Sequence, residues 1–177
     1  GLWTPDAWQR VLLACNAIAD GEGWDSPHRL VEVFAKSVTR DKLNETLARN
    51  GQIPQETPSV AAELVPCLET YGDPRVEMLE ATVSENAVAA IMQCEMIMRL
   101  LPPNWRPEDA LPPKAQMESH DVRLIIAVTR WGDSHALMAR RTGDHSSEML
   151  GDVAIDTLKS PRLGFEGVLR KLLNTVA

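Results

Sequence analysis

An α+β fold built on an antiparallel sheet is the class this sequence predicts, and three observations predict it. Val122 to Arg141 reads as two apolar, β-branched-rich runs around Trp131-Gly132-Asp133-Ser134, where Gly and Asp suit the backbone angles of a tight turn. Phe165, Val168, Leu169, Leu172, Leu173 and Val176 form one helical stripe opposite Glu166, Arg170, Lys171 and Asn174. Thr4-Pro5-Asp6 is a strong helix start: a capping hydroxyl, a proline at the first position and an acid at the positive end of the dipole. Together these predict one domain over residues 1–177. Its sheet has about four strands, Leu30–Ala35, Ile91–Leu101, Val122–Arg130 and His135–Arg141, and the N- and C-terminal helices pack on one face.

Taken in order, the first helix carries Trp8, Val11, Leu12, Cys15 and Ile18 on its apolar stripe and ends at Gly21 and Gly23. Trp24-Asp25-Ser26-Pro27 is a loop into a strand from Arg29 to Ala35. A helix opening at Ser37 or Thr39 runs to about Arg49, closed by Asn50-Gly51. The Pro- and Thr-rich stretch from Gln52 to Pro66 reads as an extended connection or a short turn at Ala61 to Leu64. Asp73-Pro74 starts another helix, to Leu79 or Thr82. Ala87 to Leu101 has two readings. Val83, Ala87, Ala90, Cys94, Ile97 and Leu101 make a helical stripe, while Met92, Cys94, Met96, Met98 and Leu100 alternate as a strand would. Propensity favours helix, and periodicity does not decide. Five prolines make Pro102 to Gln116 a stiff loop holding Trp105. Thr142 to Arg162 is polar and irregular, with a short helix near Val153 to Leu158.

A hairpin loop of two or four residues centred on Gly132-Asp133 would pair Arg130 with His135, Val128 with Leu137, Ile126 with Ala139 and Leu124 with Arg141. Val122, Leu124, Ile126, Val128, Leu137 and Ala139 would then share an apolar face for a helix to cover. Ile125, Ala127, Thr129, Ala136, Met138 and Arg140 would share a smaller, mixed face, half-wet or turned toward a ligand.

Composition narrows the function classes. The 177 residues, 44% hydrophobic and 24% charged, are ordinary for a globular domain. A net charge of −7 with scattered basic residues argues against nucleic acid and anionic membrane surfaces as partners. No apolar run approaches the roughly 18 residues that span a bilayer, and no basic region plus apolar core opens the chain, so a cytoplasmic location is expected. Cys15, Cys67 and Cys94 are odd in number and set in apolar patterns, which suits reduced, packed thiols. No phosphate-binding loop, dinucleotide turn, zinc finger or paired-Cys motif is visible, and no cofactor is expected.

Three constellations bear on chemistry. Asp133, Ser134 and His135 resemble the nucleophile block of GDSL-type esterases, but the one Asp-x-x-His, Asp25 to His28, lies upstream rather than downstream, and Ser134 leads into a strand. The alternative is a turn chosen for its backbone angles. His120, Asp121, Asp144 and His145 offer imidazole and carboxylate at one end of the hairpin for Zn²⁺ or Mn²⁺, too far from His135 to share an ion with it, or else they are solvated loop residues. Arg123, Arg130 and Arg140 offer an anion site with His135, or are ordinary strand residues. Trp24, Trp105 and Trp131 fall in loops, either as a partner surface or folded back as plugs. The many Met residues suit either a core or an adaptable surface.

Gly23-Trp24-Asp25-Ser26-Pro27 leading into Leu30 to Phe34, Arg99-Leu-Leu-Pro-Pro103, and Asp121 to Arg141 together resemble a family of uncharacterised actinobacterial proteins, represented mainly by one structural-genomics hypothetical protein of Propionibacterium type. The resemblance runs from about Gly23 to the carboxyl end and is poor between Gly51 and Asn86. It implies a strand before Pro102-Pro103, and it implies no activity and no site residues. Fold alone does not fix function, although the layout is similar to that of secretion-chaperone-type proteins. The leading expectation is a non-enzymatic protein-binding or scaffolding module, self-associating or gripping another protein by a sheet edge or Trp-bearing loop. The alternatives are a small hydrolase or metal-dependent enzyme at the hairpin, or a small-molecule binder on the Ile125, Ala127, Ala136 and Met138 face.

Overall fold

A computed structural model describes residues 3–38, 49, 59–100, 102, 104–113, 116–150 and 159–174. The chain forms helix α1 (Pro5–Glu22), strands β1 (His28–Val38) and β2 (Ser59–Thr70), a short helix α2 (Pro74–Glu77) running into a 3₁₀ turn (Met78–Glu80), strands β3 (Ala89–Leu100), β4 (Glu118–Thr129), β5 (Ser134–Arg141) and β6 (Ser147–Met149), and helix α3 (Lys159–Leu173). The strands make one antiparallel sheet in the order β2-β1-β3-β4-β5-β6. The class is α+β, with six strands among the described residues where about four are expected.

The terminal helices lie on opposite faces, not on one. Leu30, Met92, Cys94, Leu124, Ile126 and Met138 pack against Phe165, Val168, Leu169 and Leu173 of α3. Val33, Ala89, Ile91, Ile125, Ala127, Leu137 and Ala139 pack against Trp8, Leu12 and Cys15 of α1. A near-continuous apolar run such as Val122 to Val128, buried at every position, is what a strand covered on both faces requires.

The hairpin register explains the difference. The loop has three residues, Arg130-Trp131-Gly132: Thr129 N–H donates to Asp133 O at 2.9 Å, and Gly132 takes φ of 95°. Val128 therefore pairs with Ser134, Ile126 with Ala136 and Leu124 with Met138. An odd loop length in place of an even one turns every β5 side chain to the other face. Ala136 and Met138 thus join the α3 face, while Leu137 and Ala139 join the α1 face. The expected ligand-facing surface is filled on both sides: Ile125, Ala127, Ala136 and Met138 are all buried.

β2 is the strand the sequence reading takes for a connection. Its Pro66 is tolerable because, among the described residues, β2 pairs with β1 alone and leaves its outer edge free of the ladder; the register also shifts there, between Leu30 and Val31 of β1. Ala89–Leu100 is strand, as the alternation and the resemblance indicate, paired along its whole length with β4. α1 begins as expected, with Thr4 Oγ1 accepting from Ala7 N at 3.2 Å, but Ile18 is 57% exposed and Ala19 takes its place in the buried stripe. Glu166, expected on the wet face of the last helix, is buried. The helix expected from Ser37 or Thr39 to Arg49 and the one near Val153 to Leu158 lie outside the described residues, except that Ser37 belongs to β1 and Arg49 is helical. Among the described residues, no helix is long and apolar enough to cross a membrane.

Candidate functional site

Where α1 ends, the sheet continues, and the chain covers the remaining α1 face with the loop Gly23 to Pro27. Gly23 N–H closes the helix on Ala19 O at 2.9 Å, and Gly23 itself takes φ of 96°. A side chain there would meet His145 Cε1 at 3.1 Å and Asp144 O at 3.3 Å, so glycine is required both by angle and by space. The turn swings Trp24 inward. Its backbone N–H donates to Asp144 O at 3.0 Å and its indole Nε1–H to Ser146 O at 3.1 Å, leaving it only 8% exposed. Trp24 is therefore folded inward as a plug, with only an edge left toward solvent.

Beneath Trp24 lies Arg123, on the α1 face of β4 and fully buried. Its guanidinium sits 4.3 Å from the indole ring centroid, while Arg141 approaches the same ring at 5.8 Å. Arg123 Nη1–H donates to Asn16 Oδ1 and to Asp20 Oδ1, both at 2.8 Å, and Nη2 faces Glu95 Oε1 at 3.7 Å. Ser147 Oγ–H donates to the other Asp20 oxygen at 2.7 Å and accepts from Asn16 Nδ2. Helix α1 and strands β3, β4 and β6 are thereby tied to one charge. Among the described residues, Arg123 Nε and Nη2 and Glu95 Oε1 have no hydrogen-bond partner.

Above this floor opens a cleft of about 420 Å³, lined by Trp24, Asp25, Ser26, His28, Tyr71, Glu95, Met96, Ile97 and Asp121. Asp25, in the left-handed region at φ of 65°, points its backbone N–H at Glu95 Oε2, 2.9 Å away. Burial raises the Glu95 pKa, against the pull of Arg123 and of the backbone donors. His28 Nδ1 accepts from Glu95 N–H at 3.2 Å, which leaves the ring proton on Nε2; burial, partly offset by Asp73, lowers its pKa. Arg141 holds one wall together through Asp144 (2.8 Å), Asp25 (3.4 Å) and Asp121 (3.6 Å). The lip is different in kind: Tyr71 is 78% exposed and Ile97 57%.

The hairpin residues are arranged otherwise. Ser134 Oγ–H donates to Glu166 Oε1 at 2.7 Å on the α3 face, whereas the His135 ring stacks on Trp8 at 5.7 Å on the α1 face. Neighbours on a strand point to opposite sides, so His135 is not placed to take a proton from Ser134. Asp133 is exposed in the turn, where its N–H donates to Thr129 Oγ1. Of the residues considered for a metal, Asp121 and Asp144 share the Arg141 guanidinium, His120 pairs with Glu118 at 3.1 Å and His145 lies on Asp20 O at 3.1 Å. Among the described residues, no group of three or more His, Cys, Asp or Glu side chains is placed to hold a metal ion.

The arginines considered for an anion site are likewise separated. Arg123 serves the cleft floor, Arg130 binds backbone carbonyls, and Arg140 pairs with Glu148. All three cysteines are free. Burial lifts the thiol pKa of Cys15 to about 11 and of Cys94 to about 12, and also raises that of Cys67, which suppresses thiolate chemistry. Trp105 is half-buried, with Nε1–H donating to Ala110 O, and Trp131 stays 53% exposed.

The cleft was not legible as a unit, because His28, Tyr71, Glu95, Ile97 and Asp121 come from separate parts of the chain and none carries a motif. The one available signal was the turn sequence Gly23-Trp24-Asp25, whose glycine and left-handed aspartate mark a constrained entry into β1. The chain matches no family model, no curated protein and no solved structure.

Proposed function

We propose that the protein is a cytoplasmic, non-enzymatic binding module that grips a polypeptide partner, another protein or a second copy of itself, in the cleft between Tyr71, Ile97 and the Trp24 loop. The observation carrying this reading is the contrast between lip and floor. Two large side chains stand exposed at the rim, 78% and 57%, over charged groups already tied to one another by Arg123 and Arg141. A cleft with an apolar rim and a few fixed polar groups is the usual form of a recognition site, and a floor whose charges are mutually paired is preorganised. The separation of Ser134 from His135 and the high thiol pKa values also favour binding over nucleophilic catalysis.

Native mass spectrometry of the protein purified from its own host tests the reading, comparing wild type with Tyr71→Asp. Tyr71 is largely solvent-exposed, so the variant should fold and melt as wild type does. A polypeptide that accompanies the wild type and is lost from the variant is the expected result. Ester or amide hydrolysis by the pure protein, abolished by Ser134→Ala or by a chelator, would replace this reading with a catalytic one. Retention of the partner by Tyr71→Asp would move the docking surface elsewhere, first to Trp131 and Trp105.

A further inference from the structure

Resting on the cleft as the docking site, we infer that the group it receives is the cationic side chain, Arg or Lys, of the partner segment. Three carboxylates, Asp25, Glu95 and Asp121, line the cleft, and no Lys or Arg does so among the described residues. Two guanidiniums border these carboxylates and are shared with others outside the cleft. Arg123 is fully buried on Asn16 and Asp20, and Arg141 spans Asp25, Asp121 and Asp144. Five carboxylates, counting Asp20 and Asp144, thus surround two guanidiniums, and the mouth keeps a negative balance. His28 does not offset it, because its lowered pKa leaves the ring neutral at pH 7.

The shape suits the same ligand. A long basic side chain has an apolar stem and a charged tip. Ile97 offers apolar contact to the stem, the exposed Tyr71 ring offers a face for a cation, and Asp25 and Asp121 are acceptors with lone pairs to spare. Glu95 Oε1 has no hydrogen-bond partner among the described residues and meets Arg123 only at 3.7 Å, so the floor leaves one carboxylate oxygen without a donor. An acidic partner segment would meet these carboxylates with like charge and is excluded on the same ground.

The test uses the full chain and three blocked tripeptides, Leu-Arg-Leu, Leu-Gln-Leu and Leu-Glu-Leu, followed by heteronuclear NMR at millimolar peptide. Expected are shifts at the amides of Tyr71, Glu95 and Ile97 with the Arg peptide, binding at least about tenfold tighter than the Gln peptide, and no saturable shifts with the Glu peptide. Asp121→Asn, at a half-exposed position, should fold normally and weaken the Arg peptide several-fold. Equal binding of all three peptides at the cleft overturns the cationic preference and leaves the docking site standing. A silent cleft, with Tyr71→Asp still stripping the natural partner, also overturns the preference alone. A silent cleft with the partner retained by Tyr71→Asp removes both readings. Free agmatine binding as tightly as the Arg peptide overturns the choice of a polypeptide in favour of a small organic amine.

Discussion

Arg123 and Arg130 stand on the same strand line, seven residues apart, and so face opposite sides of the sheet. Arg130 donates from Nε to Ala87 O (2.7 Å), from Nη1 to Leu173 O (3.0 Å) and from Nη2 to Ser84 O (3.0 Å). It joins the end of α3 to the approach to β3, with a cation set where the helix dipole favours one. Arg123, in contrast, binds side-chain groups, and its Nε and Nη2 have no hydrogen-bond partner among the described residues, Nη2 facing Glu95 at 3.7 Å. One end of β4 is closed by a satisfied structural clamp. The other holds a charged floor with an open cleft above it. The difference teaches where binding is possible: at the turn, where the Gly-Asp-Ser motif draws attention, Ser134 is closed onto Glu166, and across the sheet a charged floor stands open to a cleft.

Breaking each clamp sharpens this contrast. Arg123→Ala should do the most damage, about 3–5 kcal/mol in urea unfolding, because it strands Asp20 and Glu95 without their buried counter-charge. A loss under 1 kcal/mol would mean water already screens the floor. Arg130→Ala should cost about 2–3 kcal/mol through three orphaned carbonyls. Its peptide binding should be unchanged, whereas Arg123→Ala should lose both stability and binding.

The pH dependence should come next. His28 is held below the ordinary 6.5, so near that pH the unfolded chain binds a proton that the folded chain refuses. Stability from this site is complete above 6.5 and falls as pH drops through 6.5 toward the folded value. Protonation would also convert Nδ1 from an acceptor into a donor facing Glu95 N–H. His28→Gln should flatten the stability profile in that window, and an unchanged slope would place the acid sensitivity elsewhere. Smallest of all should be Ser134→Ala, about 1 kcal/mol from one lost bond to Glu166, with no effect at the cleft. A functional loss there would return the hairpin to consideration as a site.

Local pattern made much of the secondary structure legible. Helix α1 announces itself through Thr4-Pro5-Asp6, α3 through its stripe from Phe165 to Leu173, and β4 and β5 through their β-branched runs, since capping and periodicity depend on near neighbours in the chain. β2 was hidden because Pro66 argues against a strand unless the strand is known to lie at an edge, and an edge exists only once the sheet is assembled. The site was hidden for a related reason: Asp25, His28, Tyr71, Glu95 and Asp121 are individually ordinary and become a cleft only through the β2–β1–β3–β4 pairing.

The sequence by itself determined that helices flank a sheet and which runs are apolar enough to be buried. Only the tertiary structure decided which face each helix covers, because a three-residue loop in place of a two- or four-residue one reverses every side chain of β5. That one-residue difference in loop length is nearly invisible to periodicity. It is resolved by the requirement that both faces of a strand apolar at every position from Val122 to Val128, save Arg123, find a helix to cover them.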